Sequence, residues 1–141
     1  MSVEENKAVV RAFIDIWNSG NFDGLDDLMT EECVLTVSGE TISCSPSATR
    51  AIATRWRAAF PDYHFHLMDL IAEGDKVVAR MPWTGTQTGP LMDIPATGKS
   101  VRVGEIVIFR VVGGKIVEAW EEFDELRMRQ QLGLVTPVPT A

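Results

Sequence analysis

The chain has 141 residues, a length that sets the expectation at one domain burying roughly 70% of its unfolded surface. Lys and Arg number 13 against 20 Asp and Glu, a formal charge of −7, which leaves no cationic surplus to neutralise nucleic-acid phosphates or anionic lipid. With 45% apolar and 23% charged residues, the composition is that of a globule and excludes a disordered chain.

Ser2 and Glu5 are spaced as a capping box, and Val9, Val10, Phe13, Ile14 and Trp17 follow at helical intervals. Glu4, Glu5, Lys7, Arg11 and Asp15 interrupt any signal-peptide-like run, and no stretch approaches the ~18 apolar residues of a membrane span. The expectation is a cytoplasmic protein without a membrane partner. Asn18-Ser19-Gly20-Asn21 stops the helix. A short second helix should carry Leu25, Leu28 and Met29 inward, and Val34, Leu35 and Val37 suggest a brief strand. Cys33 and Cys44 are too few for a disulfide framework and are expected as free thiols in a reducing compartment. Ser45-Pro46 opens a helix whose face is Ile52, Trp56 and Phe60, because proline at the first helical position loses no hydrogen bond.

After Pro61 the period changes to two. Strands are predicted over 63–71 and 77–86 around the turn Glu73-Gly74-Asp75-Lys76, and over 101–111 and 116–123 around Gly113-Gly114. Residues 89–98 form a loop and 125–132 a helical turn. The domain spans 1–133, and 134–141, with Pro137 and Pro139, reads as a frayed tail. Helices come first and long antiparallel strands follow: an α+β domain with about three N-terminal helices over one face of a curved antiparallel sheet.

Several chemical signals fail. Thr97-Gly98-Lys99-Ser100 imitates the end of a P-loop, but Asp93 stands where its first glycine belongs and a strand follows. His64 and His66 share a strand face without a clear third ligand, so no metal and no organic cofactor are expected.

The stronger signal lies in the last hairpin. Glu105 interrupts the apolar face of Val101, Val103, Val107, Phe109 and Val111, and Glu121 interrupts that of Val117, Ala119 and Phe123. A three-residue loop, Val112-Gly113-Gly114, places Glu105 directly across from Glu121, roughly 5 Å apart. Two carboxyls so close in an apolar wall would hardly both ionise, and one should hold a proton near neutral pH. The bland alternative is a glutamate paired with Arg80 or Arg102. Phe13, Trp17, Trp56, Phe60 and Trp83 are candidate walls of a pocket, joined by Val107, Phe109, Ala119 and Phe123 from the hairpin face. Each alone reads as plain core packing, and it is the set together that suggests a cavity. Asp124 is the alternate acid/base. On the other face, Ile106, Ile108, Ile116 and Trp120 are left uncovered and should meet a second copy in a homodimer.

Phe60-Pro61-Asp62, the Gly74-Asp75 turn with Val77 and Arg80, Thr84-Gly85-Thr86-Gln87-Thr88-Gly89, Ile94-Pro95-Ala96-Thr97-Gly98-Lys99, Gly114-Lys115-Ile116-Val117-Glu118-Ala119-Trp120, Asp124 and Gln131-Leu132-Gly133 follow one another in a familiar order. In this the chain resembles the SnoaL-like polyketide cyclases of the nuclear-transport-factor-two-like superfamily. The resemblance implies a cone of curved sheet and three helices around an apolar pocket, usually dimeric. It also implies a cofactor-free intramolecular aldol ring closure, with an aspartate as acid and base at the position of Glu121. A histidine and a glutamine of those cyclases fall at Val107 and Glu105, and a pocket tyrosine at Trp17. The expected function is therefore acid/base chemistry on a small apolar carbonyl compound, with Glu121 moving the proton and Glu105 tuning it. Isomerisation, epoxide opening or a non-catalytic binding module are the alternatives.

Overall fold

The protein is described by a computed structural model covering residues 2–135. Helix α1 (Val3–Ser19) begins at the predicted capping box, Ser2 and Glu5 each bonding the other's backbone N–H, and ends at Gly20 in the left-handed conformation. The expected second helix is a 3-10 segment, Asp23–Asp27, which buries Leu25, whereas Met29 already opens strand β1 (Met29–Val37). Strand β2 (Glu40–Ser43) folds back on β1, and α2 (Pro46–Ala59) starts at Ser45, whose side chain accepts from the N–H of Ala48. The third α-helix, α3 (Glu125–Gln131), lies at the C-terminal end of the domain.

Of the four long strands of the sequence pattern, the first three are each cut in two. Residues 63–71 become β3 (His64–Phe65) and β4 (Asp69–Glu73), and 77–86 become β5 (Lys76–Arg80) and β6 (Trp83–Thr86). The stretch 101–111 becomes β7 (Ser100–Val103) and β8 (Glu105–Val112). Pro82, which has no N–H to give a ladder, and Gly104 mark two of the breaks. The halves sort into two sheets, β2-β1-β9-β8-β5-β4 and β3-β6-β7, where β9 is Lys115–Phe123. Backbone bonds from Met81 to Glu105 and from His66 to Pro82 bridge the bend, so the sheet curves instead of separating. All pairs are antiparallel except β1 with β9, which run parallel. The α+β class follows as expected, with a mixed curved sheet. Among the described residues no helix is long and apolar enough to cross a membrane. Of the expected frayed tail, residues 136–141 lie outside the described residues.

Two expectations are corrected. Cys33 and Cys44 are joined in a disulfide, because β1 and β2 pair Val34 with Ser43 and so set the next residues out opposite each other, Cα atoms 5.0 Å apart. The placement in a reducing compartment, which rested on free thiols, loses that basis. The loop of the last hairpin has two residues, Gly113 and Gly114, both at positive φ, and not three. Val112 pairs with Lys115 and Val111 with Ile116; then the register shifts, Arg110 pairs with Glu118, and Val117 is the extra residue of a bulge. The two-residue loop pairs Ile116 with inward-facing Val111, so Ile116 is fully buried and leaves the outer face assigned to it.

Gln87, also fully buried, organises the loop between β6 and β7. Its amide donates to the carbonyl of Pro95 and accepts from the N–H and hydroxyl of Thr97. The P-loop-like residues are thus committed to a side-chain-braced loop that runs straight into β7.

Candidate active site

The concave side of the sheet, α1 and α2 enclose a cavity of about 90 Å³. Phe13 and Trp17 of α1, Trp56 of α2, Trp83 of β6 and Val107, Phe109, Ala119 and Phe123 of the last hairpin all line it, together with Glu105 and Glu121. Phe60 does not. It is the C-cap residue of α2, fully buried behind the wall, with its ring edge-on to Trp83 at 5.1 Å and stacked on Trp56 at 6.2 Å. The helical stripe that suggested it for the cavity ends one residue too soon.

The bulge decides the carboxyl pair. It leaves Glu105 opposite Phe123 and Glu121 opposite Val107, so the two glutamates are diagonal neighbours and not a directly facing pair. Their Cα atoms are then ~7–8 Å apart on one face. Glu105 is 6% exposed and Glu121 half-buried. Burial, and then the charge of Glu121, hold the Glu105 carboxyl well above the usual carboxylate range. Burial, and then the charge of Glu122 on the opposite face, push Glu121 up to about 7. Neither carboxyl has an ion pair or a hydrogen bond from a side chain among the described residues. Arg80 pairs with Asp69, and no ion pair joins Arg102 to either glutamate among the described residues. The arginine-locked alternative is thereby excluded for both.

Asp124 is the N-cap of α3, where its carboxylate accepts from the N–H of Arg127. It is exposed and does not line the cavity; it borders a separate outer recess with Arg80, Gly104 and Glu122. His64 and His66 lie edge to face at 4.9 Å, with His66 bonded to the Thr84 hydroxyl. No group of three metal-ligating side chains comes together among the described residues.

Sequence reasoning passed over Tyr63 and Phe65, which also line the cavity with Met81, Thr49 and Ile52. The signal lies in strand alternation, by which residues 63 and 65 take the face opposite His64. Tyr63 is 5% exposed and stacks on Trp83 at 4.4 Å.

The family model described as SnoaL-like polyketide cyclase matches residues 7–132. The chain belongs to the SnoaL-like polyketide cyclase family. Aklanonic acid methyl ester cyclase DauD of Streptomyces sp. (strain C5) is 28% identical to it over 135 residues, which cover 93% of this chain and 83% of that protein. Among solved structures, TsrD of Streptomyces laurentii superposes with a TM-score of 0.84 at 32% identity, covering 96% of this chain and 99% of that one. AclR of Streptomyces galilaeus, a candidate hydroxylase, superposes with a TM-score of 0.87 at 26% identity over 99% of this chain and 87% of its own. Membership places the protein among enzymes of the cyclase type.

Proposed function

We propose that the cavity binds a small apolar carbonyl compound and that Glu121 carries a proton through an aldol-type ring closure. The observation that supports this most is the carboxyl pair on an apolar wall, with no cation to fix it in the ionised state. With its pKa at about 7, Glu121 is ionised in close to half of the molecules at neutral pH, so it is available both as base and, once protonated, as acid. As base it takes the proton next to the carbonyl, and the carbon so freed attacks a second carbonyl in the same molecule. The protonated carboxyl then returns that proton to the new alkoxide. Nothing is oxidised or reduced, so these proton transfers suffice without a cofactor. Burial, and then the charge of Glu122, keep the Glu121 pKa near the working pH, while Glu105, deeper and more strongly held in its neutral form, adds no charge to the wall. The surrounding rings exclude water from the intermediate.

AclR carries the name of a candidate hydroxylase, a fold by itself does not fix one reaction, and the same carboxyl could open an epoxide or move a double bond. The deciding experiment incubates the protein with aklanonic acid methyl ester, with smaller 1,3-dicarbonyl esters and with an aryl epoxide. Ring closure of a carbonyl compound, falling about 100-fold or more in Glu121→Gln, is the expected result. Closure at an undiminished rate in that variant would remove Glu121 from the reaction. Turnover of the epoxide alone would replace the aldol reading.

We further propose that the protein works as a homodimer through the outer face of the large sheet. Thr36, Trp120, Ile108, Val78 and Ile71 form one row across five strands of that face, and Ile71 is 63% exposed. Rows containing Arg110–Glu118 and Arg80–Asp69 ion pairs flank it. An apolar band bordered by charge of both signs is self-complementary about a two-fold axis.

A further inference from the structure

We propose that the Tyr63 hydroxyl is the hydrogen-bond donor that holds the substrate's carbonyl oxygen as negative charge develops on it. The proposal deepens the carbonyl reading above and rests on it. Tyr63 precedes β3, and its backbone is fixed at both ends: its N–H donates to the Phe60 carbonyl, and its carbonyl accepts from the Arg57 guanidinium. The ring is held on several sides as well. It stacks on Trp83 at 4.4 Å, with Phe65 edge-on at 5.1 Å and Trp17 at 5.7 Å. A ring so confined aims its hydroxyl in one direction without a further loss of freedom on binding.

That hydroxyl has no hydrogen-bond partner among the described residues, although the residue is buried and lines the cavity. Phenylalanine would supply the same stacking without placing a hydroxyl in an apolar lining. The indole N–H of Trp17, in the same lining, is buried and has no acceptor among the described residues. Two unmatched donors, two carboxyls and otherwise largely apolar walls are the complement of an apolar molecule that presents an oxygen acceptor. Burial first, and then the charges of Glu105 and Glu121, push the phenol well above its ordinary range, so Tyr63 keeps its proton at neutral pH and acts as donor only. The bookkeeping of the step is then complete: the carbon–hydrogen bond breaks, its proton goes to Glu121, and the electron pair moves to the oxygen bonded by Tyr63.

The test uses two probes of similar shape, 4-nitrophenol and the oxygen-free 4-isopropyltoluene, titrated into wild type and Tyr63→Phe at pH 6, below the Glu121 pKa of about 7. We expect Tyr63→Phe to bind 4-nitrophenol at least tenfold more weakly and 4-isopropyltoluene within twofold of wild type. Its melting temperature should be unchanged or higher, because the lost hydroxyl bonds nothing in the fold. Equal affinity for 4-nitrophenol in both proteins overturns the proposal, as does failure of the wild type to bind it. Equal losses for both probes overturn it too, since they would show a packing role. With a turned-over carbonyl substrate, Tyr63→Phe should lower kcat and leave KM within a factor of two. Selective loss of 4-nitrophenol binding, together with no carbonyl turnover by the wild type, would sink the cyclisation reading and leave the donor assignment standing.

Discussion

Glu121→Gln should make the protein more stable than wild type at pH 8 and nearly equal to it at pH 4. In the unfolded chain the carboxyl titrates near 4.5, and in the fold it is pushed up to about 7. Below 4.5 both states hold the proton, and the residue exacts no penalty. Between the two values the native state keeps a proton that the unfolded state releases, so stability falls as pH rises, and above 7 the full penalty applies. That difference, about 2.5 pH units, corresponds to roughly 3 kcal/mol. For a domain of this length the change amounts to roughly 10 °C in melting temperature. Glutamine keeps the shape and removes the ionisation, so its melting curve should lose most of the fall between pH 5 and 8. Some slope should remain, because Glu105 is raised in the same direction by burial. Thermal melts by circular dichroism at pH 4, 6 and 8 measure this directly. Equal melting temperatures for the two proteins at pH 8, or a less stable variant there, would show that Glu121 ionises freely, and the case for it as an acid/base would fail with that result.

Reducing the Cys33–Cys44 bond should cost about 3 kcal/mol by the loop-closure estimate for a separation of 11 residues, seen as a lower melting temperature in Cys33→Ser and an absence of titratable thiol in the unreduced wild type. Asp124→Ala should cost roughly 1 kcal/mol of stability through the lost cap and leave turnover within a factor of two, whereas a hundredfold loss would make it the base. Ile108→Asp, on the outer face, should convert a dimer to monomers in sedimentation experiments without altering the fold, and a wild type that sediments as a monomer at micromolar concentration would refute the proposed interface.

What was legible in the sequence is what short-range chemistry decides. The capping box, the Ser45-Pro46 start and the Gly74-Asp75 turn depend on a few adjacent residues, and each stands where its local pattern put it. Strand alternation likewise told which face carries Glu105, Val107 and Phe109, since successive side chains must point to opposite sides. The shared face of the two glutamates was therefore found despite a wrong loop length. What only the tertiary structure decided is everything that depends on a partner strand. The bulge at Val117 restores the parity that a two-residue turn alone would have reversed, in a strand that pairs with both β8 and β1. The same bulge leaves Glu105 and Glu121 one diagonal apart, while the two-residue turn carries Ile116 into the core opposite Val111. The cysteine bond needs the β1–β2 register. Tyr63, just ahead of β3, lines the cavity where β3 and β4 part into different sheets at the bend, a curvature carried by no residue alone.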